Sequence, residues 1–123
     1  MKRTSLKEKS VAELLQLFIS IALEQDDALL MDEIGRFNRL FDKMEAVVHE
    51  LRAREGDQRR ALLSLYDHPN MQVRVKAAKA TLAIVPEAAR GALEAIRASK
   101  VQPQALEAGM SLWNLDRGVF KPT

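Results

Sequence analysis

The 123-residue sequence contains no cysteine, which excludes a disulfide framework, a thiolate zinc cluster and a cysteine nucleophile. Glycine (5) and proline (4) are scarce, so there is no collagen-like period and no flexible low-complexity tract. Only six aromatic residues occur: Phe18, Phe37, Phe41, Phe120, Tyr66 and Trp113. Three of the phenylalanines fall on apolar stripes, which leaves few rings to stack on nucleic-acid bases. Long hydrophobic runs are missing too. The apolar stretch after Ser10 is cut by Glu13 and Gln16, and no window approaches the roughly 20 apolar residues of a spanning helix. The expectation is a cytoplasmic chain with no signal peptide and no contact with a membrane.

What is present is an ordinary globular composition, 47% hydrophobic and 29% charged, in a length that suits one domain able to bury about two-thirds of its surface. The net charge of +2 hides an asymmetry. Residues 1–50 carry 7 basic and 10 acidic side chains, for −3, and residues 51–123 carry 12 and 7, for +5. A basic second half fits an acidic partner, or two helical layers of opposite charge attracting each other.

Apolar spacing is helical nearly throughout, which predicts an all-α chain of about six helices. Ser10 followed by Glu13 is a capping-box pattern that opens a helix over about residues 11–23. A break near Asp26 would let Asp26 or Asp27 cap a long second helix, about 27–54. There Leu30, Ile34, Phe37, Phe41, Met44, Val48 and Leu51 recur in steps of 4 and 3, with Leu40 and Val47 widening the stripe beyond a coiled-coil seam. Asp32 with Arg36, and Glu50 with Arg54, are acid-first pairs four apart. Gly56 ends that helix and Asp57 caps a short third, about 58–66. The turn Asp67-His68-Pro69-Asn70 leads to a fourth helix over 71–85 with Val73, Ala77, Ala78, Ala80 and Leu82 inward. Pro86 starts a fifth helix to Ser99, with Ala89, Ala92, Leu93 and Ile96 inward. Pro103 starts a sixth carrying Leu106, Met110 and Trp113, followed by an extended tail over 116–123.

Leu62-Leu63-Ser64-Leu65-Tyr66-Asp67-His68-Pro69-Asn70, followed by Val73-Arg74-Val75-Lys76-Ala77-Ala78 and Leu82, resembles the helical hairpins of HEAT and armadillo repeats across residues 58–99. The whole chain, with its ending Leu112-Trp113-Asn114-Leu115-Asp116-Arg117-Gly118-Val119-Phe120, is similar to a bacterial family known as a domain of unknown function with such repeats. The resemblance implies a right-handed α-α superhelix in a single domain: an N-terminal hairpin over 10–55, a HEAT-like hairpin plus helix over 57–100, a last helix over 103–115 and a tail. It also implies that Arg74 ties neighbouring repeats to an acidic group, for which Asp67 is a candidate.

Chemistry is sparse. There is no phosphate-cradling glycine loop and no nucleophile elbow. His49 and His68 stand nineteen apart without matched ligands. Ser64, Asp67 and His68 have the residue types of an acyl-transfer triad, but Pro69 disfavours the continuous helix that would align them. Asp26, Asp27, Asp32 and Glu33 cluster where capping and solvation suffice. No cofactor or metal is expected, and no enzymatic activity. A stack of helical hairpins offers a broad ridged surface, so the reading is a protein-interaction module, monomeric or homodimeric. Candidate surface residues are Arg36, Arg39, Arg74, Lys76, Lys79 and Trp113, the last either closing the end of the stack or anchoring another chain. The competing reading is a nucleic-acid binder using Arg52, Arg54, Arg59, Arg60, Lys76, Lys79, Arg90, Arg97 and Lys100.

Overall fold

The computed structural model describes residues 5–123, and the basic opening Met1-Lys2-Arg3-Thr4 lies outside the described residues. Five α-helices form: α1 (Val11–Leu30), α2 (Ile34–Ala53), α3 (Met71–Ala80), α4 (Pro86–Ser99) and α5 (Gln104–Asp116). Two 3-10 segments, Leu6–Glu8 and Gln58–Asp67, accompany them, and no strand occurs among the described residues. The chain gathers into two compact units, Met1–Ala61 and Leu62–Thr123.

In the first unit α1 and α2 pack as a hairpin. The capping box opens α1: Ser10 Oγ accepts from Glu13 N at 3.0 Å, and Glu13 Oε1 accepts from Ser10 N at 2.8 Å. These bonds hold the Glu13 carboxyl below its ordinary range. Contrary to expectation, α1 does not break near Asp26, because Glu24-Gln25-Asp26-Asp27 contains nothing that disfavours helix. It continues to Leu30, and the reversal falls at Asp32, which takes a left-handed φ of 56°. Asp32 N donates to Leu29 O at 3.3 Å and Glu33 N to Ala28 O at 2.8 Å. This is the paired closure usually built on glycine, here built on an aspartate whose short polar side chain tolerates that region. Neither Asp26 nor Asp27 therefore caps α2. Glu33 stands at its N-cap without a side-chain bond to the backbone of the helix.

The reversal changes the apolar phase. Leu14, Phe18, Ile21, Ala22 and Ala28 of α1 are buried, and Leu40, Met44, Val47 and Leu51 of α2. Of the seven-residue stripe read from the sequence, Met44 and Leu51 are buried and Phe37 and Val48 half-buried, while Leu30, Ile34 and Phe41 are exposed. Only Leu30 of the stripe lies on α1; within α2 the buried face runs through Leu40, Met44, Val47 and Leu51, which leaves Ile34 and Phe41 outside. At the far end of α2, Arg54 clamps the incoming chain: Nη2 donates to Lys9 O at 2.7 Å and Leu6 O at 3.0 Å, and Nε to Glu50 Oε2 at 2.6 Å.

The second helix ends before Gly56: α2 stops at Ala53, where Arg54 takes extended backbone, and Gly56 lies in the turn beyond it at φ 79°. The third helix expected over 58–66 is instead a 3-10 segment of ten residues, long for that conformation. Its buried residues Arg59, Leu62 and Leu65 recur every third position, the spacing at which 3-10 side chains eclipse.

In the second unit Asn70 caps α3, its Oδ1 accepting from Gln72 N at 2.8 Å and Val73 N at 3.1 Å. The helix ends at Ala80 rather than near 85, because Thr81 turns its hydroxyl back onto Ala77 O at 2.9 Å. That hydroxyl's proton is thereby used, so Tyr66 Oη donates to Thr81 Oγ1 at 2.5 Å. Burial raises the Tyr66 phenol above its ordinary range, and this hydrogen bond offsets part of the rise. Pro86 opens α4 as expected. Val75, Ala78, Leu82, Ala89, Leu93, Ile96, Ala108 and Leu112 make one core, in which alanines on three helices permit close approach. The end of α5 is closed by Gly118 at φ 72° and by Val119 N donating to Asn114 O at 3.0 Å.

Candidate interaction surface

Four of the six candidate residues have their charges engaged within the fold. Arg36 draws in three carboxylates, Asp27 at 2.8 Å, Glu33 at 2.9 Å and Glu24 at 3.6 Å. Its partners are thus not the Asp32 expected from spacing, because Asp32 has left the helix. Arg74 Nε donates to the carbonyl oxygen of His68 rather than to Asp67, so it fastens the Asp-His-Pro-Asn turn onto α3. Lys76 is buried, and Lys76 Nζ and Lys79 Nζ meet Glu107 Oε2 at 2.7 Å and 3.0 Å. Burial by itself would push the Glu107 carboxyl up, but the two ammonium groups outweigh it and hold the carboxyl below its usual range. Arg39 is exposed on α2.

Part of the basic half is similarly committed. Arg54 is the clamp described above. Arg59 is buried against Asp57, with Nη2 at 2.6 Å from Oδ2 and Nε at 2.9 Å from Oδ1, and the fork holds the Asp57 carboxyl low. Arg90 reaches Asp116 at 2.6 Å and Glu94 at 3.8 Å. Among the described residues Arg97 and Lys100 form no ion pair.

His68 Nδ1 accepts from Asn70 N at 3.0 Å, which commits one ring nitrogen to the turn. Among the described residues, no three His, Asp or Glu side chains stand together in a way that could hold a metal ion. No helix of the described residues is long and apolar enough to cross a membrane.

Trp113 is the apolar member of the six. Leu106, Met110 and Trp113, at helical spacing on this helix, are all exposed, by 62%, 55% and 59%. The inward face of α5 is Ala105, Ala108 and Leu112, with Leu115 half-buried. At 3.6 residues per turn the two stripes lie about 150° apart. Ala108 packs in the same core as Ala78 of α3 and Ala89 of α4, where small side chains permit close approach of the helices. Trp113 therefore closes no end of the core, and the guanidinium of Arg117 lies over its ring, 4.5 Å from the centroid.

Between α4 and α5 this outer face forms a groove of about 500 Å³, with Leu106, Met110 and Trp113 along one wall and Arg97 and Gln102 on the other. Gly109 makes the floor. The Arg97 stem crosses it so closely that a Cβ there would lie 3.4 Å from Arg97 Cδ. Glu107 and the outward turn of α5 were not legible in the sequence. The only available signal for the latter was the small-residue run Ala105, Ala108 and Ser111 on the opposite side.

The family described as "Domain of unknown function (DUF2019)" matches residues 12–116. The crystal structure of a protein from Rhodopseudomonas palustris CGA009 is similar at 55% identity, with a TM-score of 0.94 over 98% of this chain and 100% of that one. No curated protein matches the chain.

Proposed function

This chain belongs to the DUF2019 family, and from that premise we propose that it is a non-enzymatic docking module that holds a protein segment on the outer face of α5. One observation carries the reading: Leu106, Met110 and Trp113 stay outside, side by side, on a helix that already has a complete buried face. Large exposed apolar side chains in one patch mark interaction sites, and Trp and Arg are the residues that most often anchor them. Arg97 and Arg117 border the apolar strip, and the one carboxylate lining the groove, Asp116, is held by Arg90. The segment that fits is apolar at its centre and acidic at its edges.

The Asn70-capped α3 behind its Asp-His-Pro turn, packed on α4, supports the further reading that the second unit is a helical repeat of the HEAT and armadillo kind. Neither helix could bury its apolar face alone. The basic side chains of α3 support a structural role over a phosphate-binding one, because Glu107 engages Lys76 and Lys79 and the His68 carbonyl engages Arg74.

The test is a photo-crosslinking amino acid placed at Met110 in the source cell, with Glu94 as an exposed control position. An adduct to a protein peptide with large apolar residues flanked by carboxylates is expected, and its loss when Trp113→Ser is added. No protein adduct above the Glu94 control, or an adduct to nucleic acid, would overturn the docking reading.

A further inference from the structure

The turn between α1 and α2 leaves a second apolar surface uncovered. Leu30 is 85% exposed, Met31 63% and Ile34 69%. Three large apolar side chains within five residues stand at the tip of a hairpin whose own core lies further along. The closure at Asp32 holds them there, since the bonds Asp32 N to Leu29 O and Glu33 N to Ala28 O fix the reversal. Around the tip the sign of charge is nearly uniform. Residues 24–36 contain five carboxylates (Glu24, Asp26, Asp27, Asp32 and Glu33) and one guanidinium, for a net −4. Arg36 binds Glu24, Asp27 and Glu33 together, which keeps the acidic rim beside the apolar residues.

The groove beside α5 has the opposite rim. Its apolar wall of Leu106, Met110 and Trp113 is bordered by Arg97 and Arg117, and its lining carboxylate is already paired. One chain thus carries both halves of a complementary pair: an apolar tip edged with carboxylates and an apolar groove edged with cations. Resting on the docking reading above, we propose that the groove's occupant is the α1–α2 tip of a second copy of this chain. Leu30 and Met31 enter between Arg97 and Trp113, with the carboxylates of the tip facing the cations of the groove. The contact joins unlike surfaces, so it is heterologous, and it closes into a ring or pair only if two such contacts form at once. The charge asymmetry along the sequence is then the record of a self-association surface, in which opposite rims fix the register and speed the encounter.

The experiment is analytical ultracentrifugation of the purified chain and two neutral double variants, L30S/M31S for the tip and M110S/W113S for the groove. All four positions are exposed, so circular dichroism is expected to show the same fold and nearly the same melting temperature for each. The parent chain is expected to self-associate in the micromolar range, more weakly at high salt because the rim charges are screened. Each variant is expected to associate roughly thirtyfold more weakly, the effect of losing an interface anchor. Mixed together, the two variants are expected to form a one-to-one complex, since one keeps an intact groove and the other an intact tip. A monomeric parent at millimolar concentration, an effect confined to one variant, or no complex in the mixture each overturns the proposal. A monomeric parent whose Met110 probe still captures another protein in the cell overturns the second copy as occupant and leaves the docking face standing. Absence of both results removes both readings.

Discussion

Lys76 and Glu107 meet at 2.7 Å across thirty-one residues of sequence, and Lys79 joins the same carboxylate oxygen at 3.0 Å. This places the polar staple of the second unit between α3 and α5, beside the buried bond from Gln104 Nε2 to Gln72 Oε1 at 2.9 Å. Two ammonium groups on one carboxylate compensate its burial.

Replacing Glu107 with Gln is expected to lower stability by about 1–3 kcal/mol, because the mostly buried Lys76 keeps its charge without a counter-charge. The pH dependence has a defined sign. The folded Glu107 carboxyl titrates lower than in the unfolded chain, where its pKa is about 4.3. Its contribution is complete above that value and is lost as pH falls through the folded value. Melting curves between neutral pH and pH 3 should show a shallower acid decline in Glu107→Gln than in the parent. Parallel declines would remove Glu107 as a source of acid sensitivity.

Arg54 offers a local test. Its three-way attachment to Glu50, Leu6 and Lys9 holds the chain that leads into α1. Arg54→Met keeps the apolar stem and removes the donors. It is expected to cost about 1 kcal/mol and to speed amide exchange at Lys7 to Ser10, with little change in α3 to α5. Arg54→Lys is expected to recover little, because an ammonium cannot span the three acceptors as the guanidinium fork does.

The helical class, the capping box at Ser10, the Asn70 cap and the start of α4 at Pro86 were legible because each is a local signal. Ser-x-x-Glu, Asn after Pro, and Pro at a first turn act through backbone groups a few residues away. The end of α1 was not legible. Its stop signal is an aspartate in the left-handed region, and composition cannot distinguish that aspartate from Asp26 and Asp27, which lie within α1. Which side of α5 faces inward was hidden for another reason. Bulky Leu106, Met110 and Trp113 outrank Ala105 and Ala108 in any apolar count, yet the buried face of α5 is Ala105, Ala108 and Leu112. The engagement of Lys76, Lys79 and Arg59 depended on partners that the tertiary fold or an unusual turn supplies.

That steric reading of α5 makes a prediction of its own. Ala108 is fully buried, as are Ala78 and Ala89 in the same cluster. Ala108→Leu is expected to destabilise by about 1–3 kcal/mol, since added methylenes must force apart helices in close contact. Leu106→Ala, on the outward stripe, is expected to stay within about 0.5 kcal/mol of the parent. Chemical denaturation of the two variants separates the cases, and a larger loss at Leu106 would mean that the outward stripe is buried in solution.

The reversal at Asp32 can be tested by substitution in place. The left-handed region costs an ordinary side chain roughly 1–2 kcal/mol, and aspartate and asparagine occupy it more readily than others. Asp32→Asn should therefore leave stability within about 0.5 kcal/mol, while Asp32→Val, branched at Cβ, should lose about 1–2 kcal/mol. The loss has a structural destination. A valine that avoids positive φ must surrender the bonds from positions 32 and 33 to Leu29 O and Ala28 O, and the last turn of α1 frays with them. Amide exchange at residues 32 and 33 reports this directly. Fast exchange in Asp32→Val beside parent-like protection in Asp32→Asn is the expected pattern. Equal protection in both would show that backbone conformation at this position does not set the end of α1.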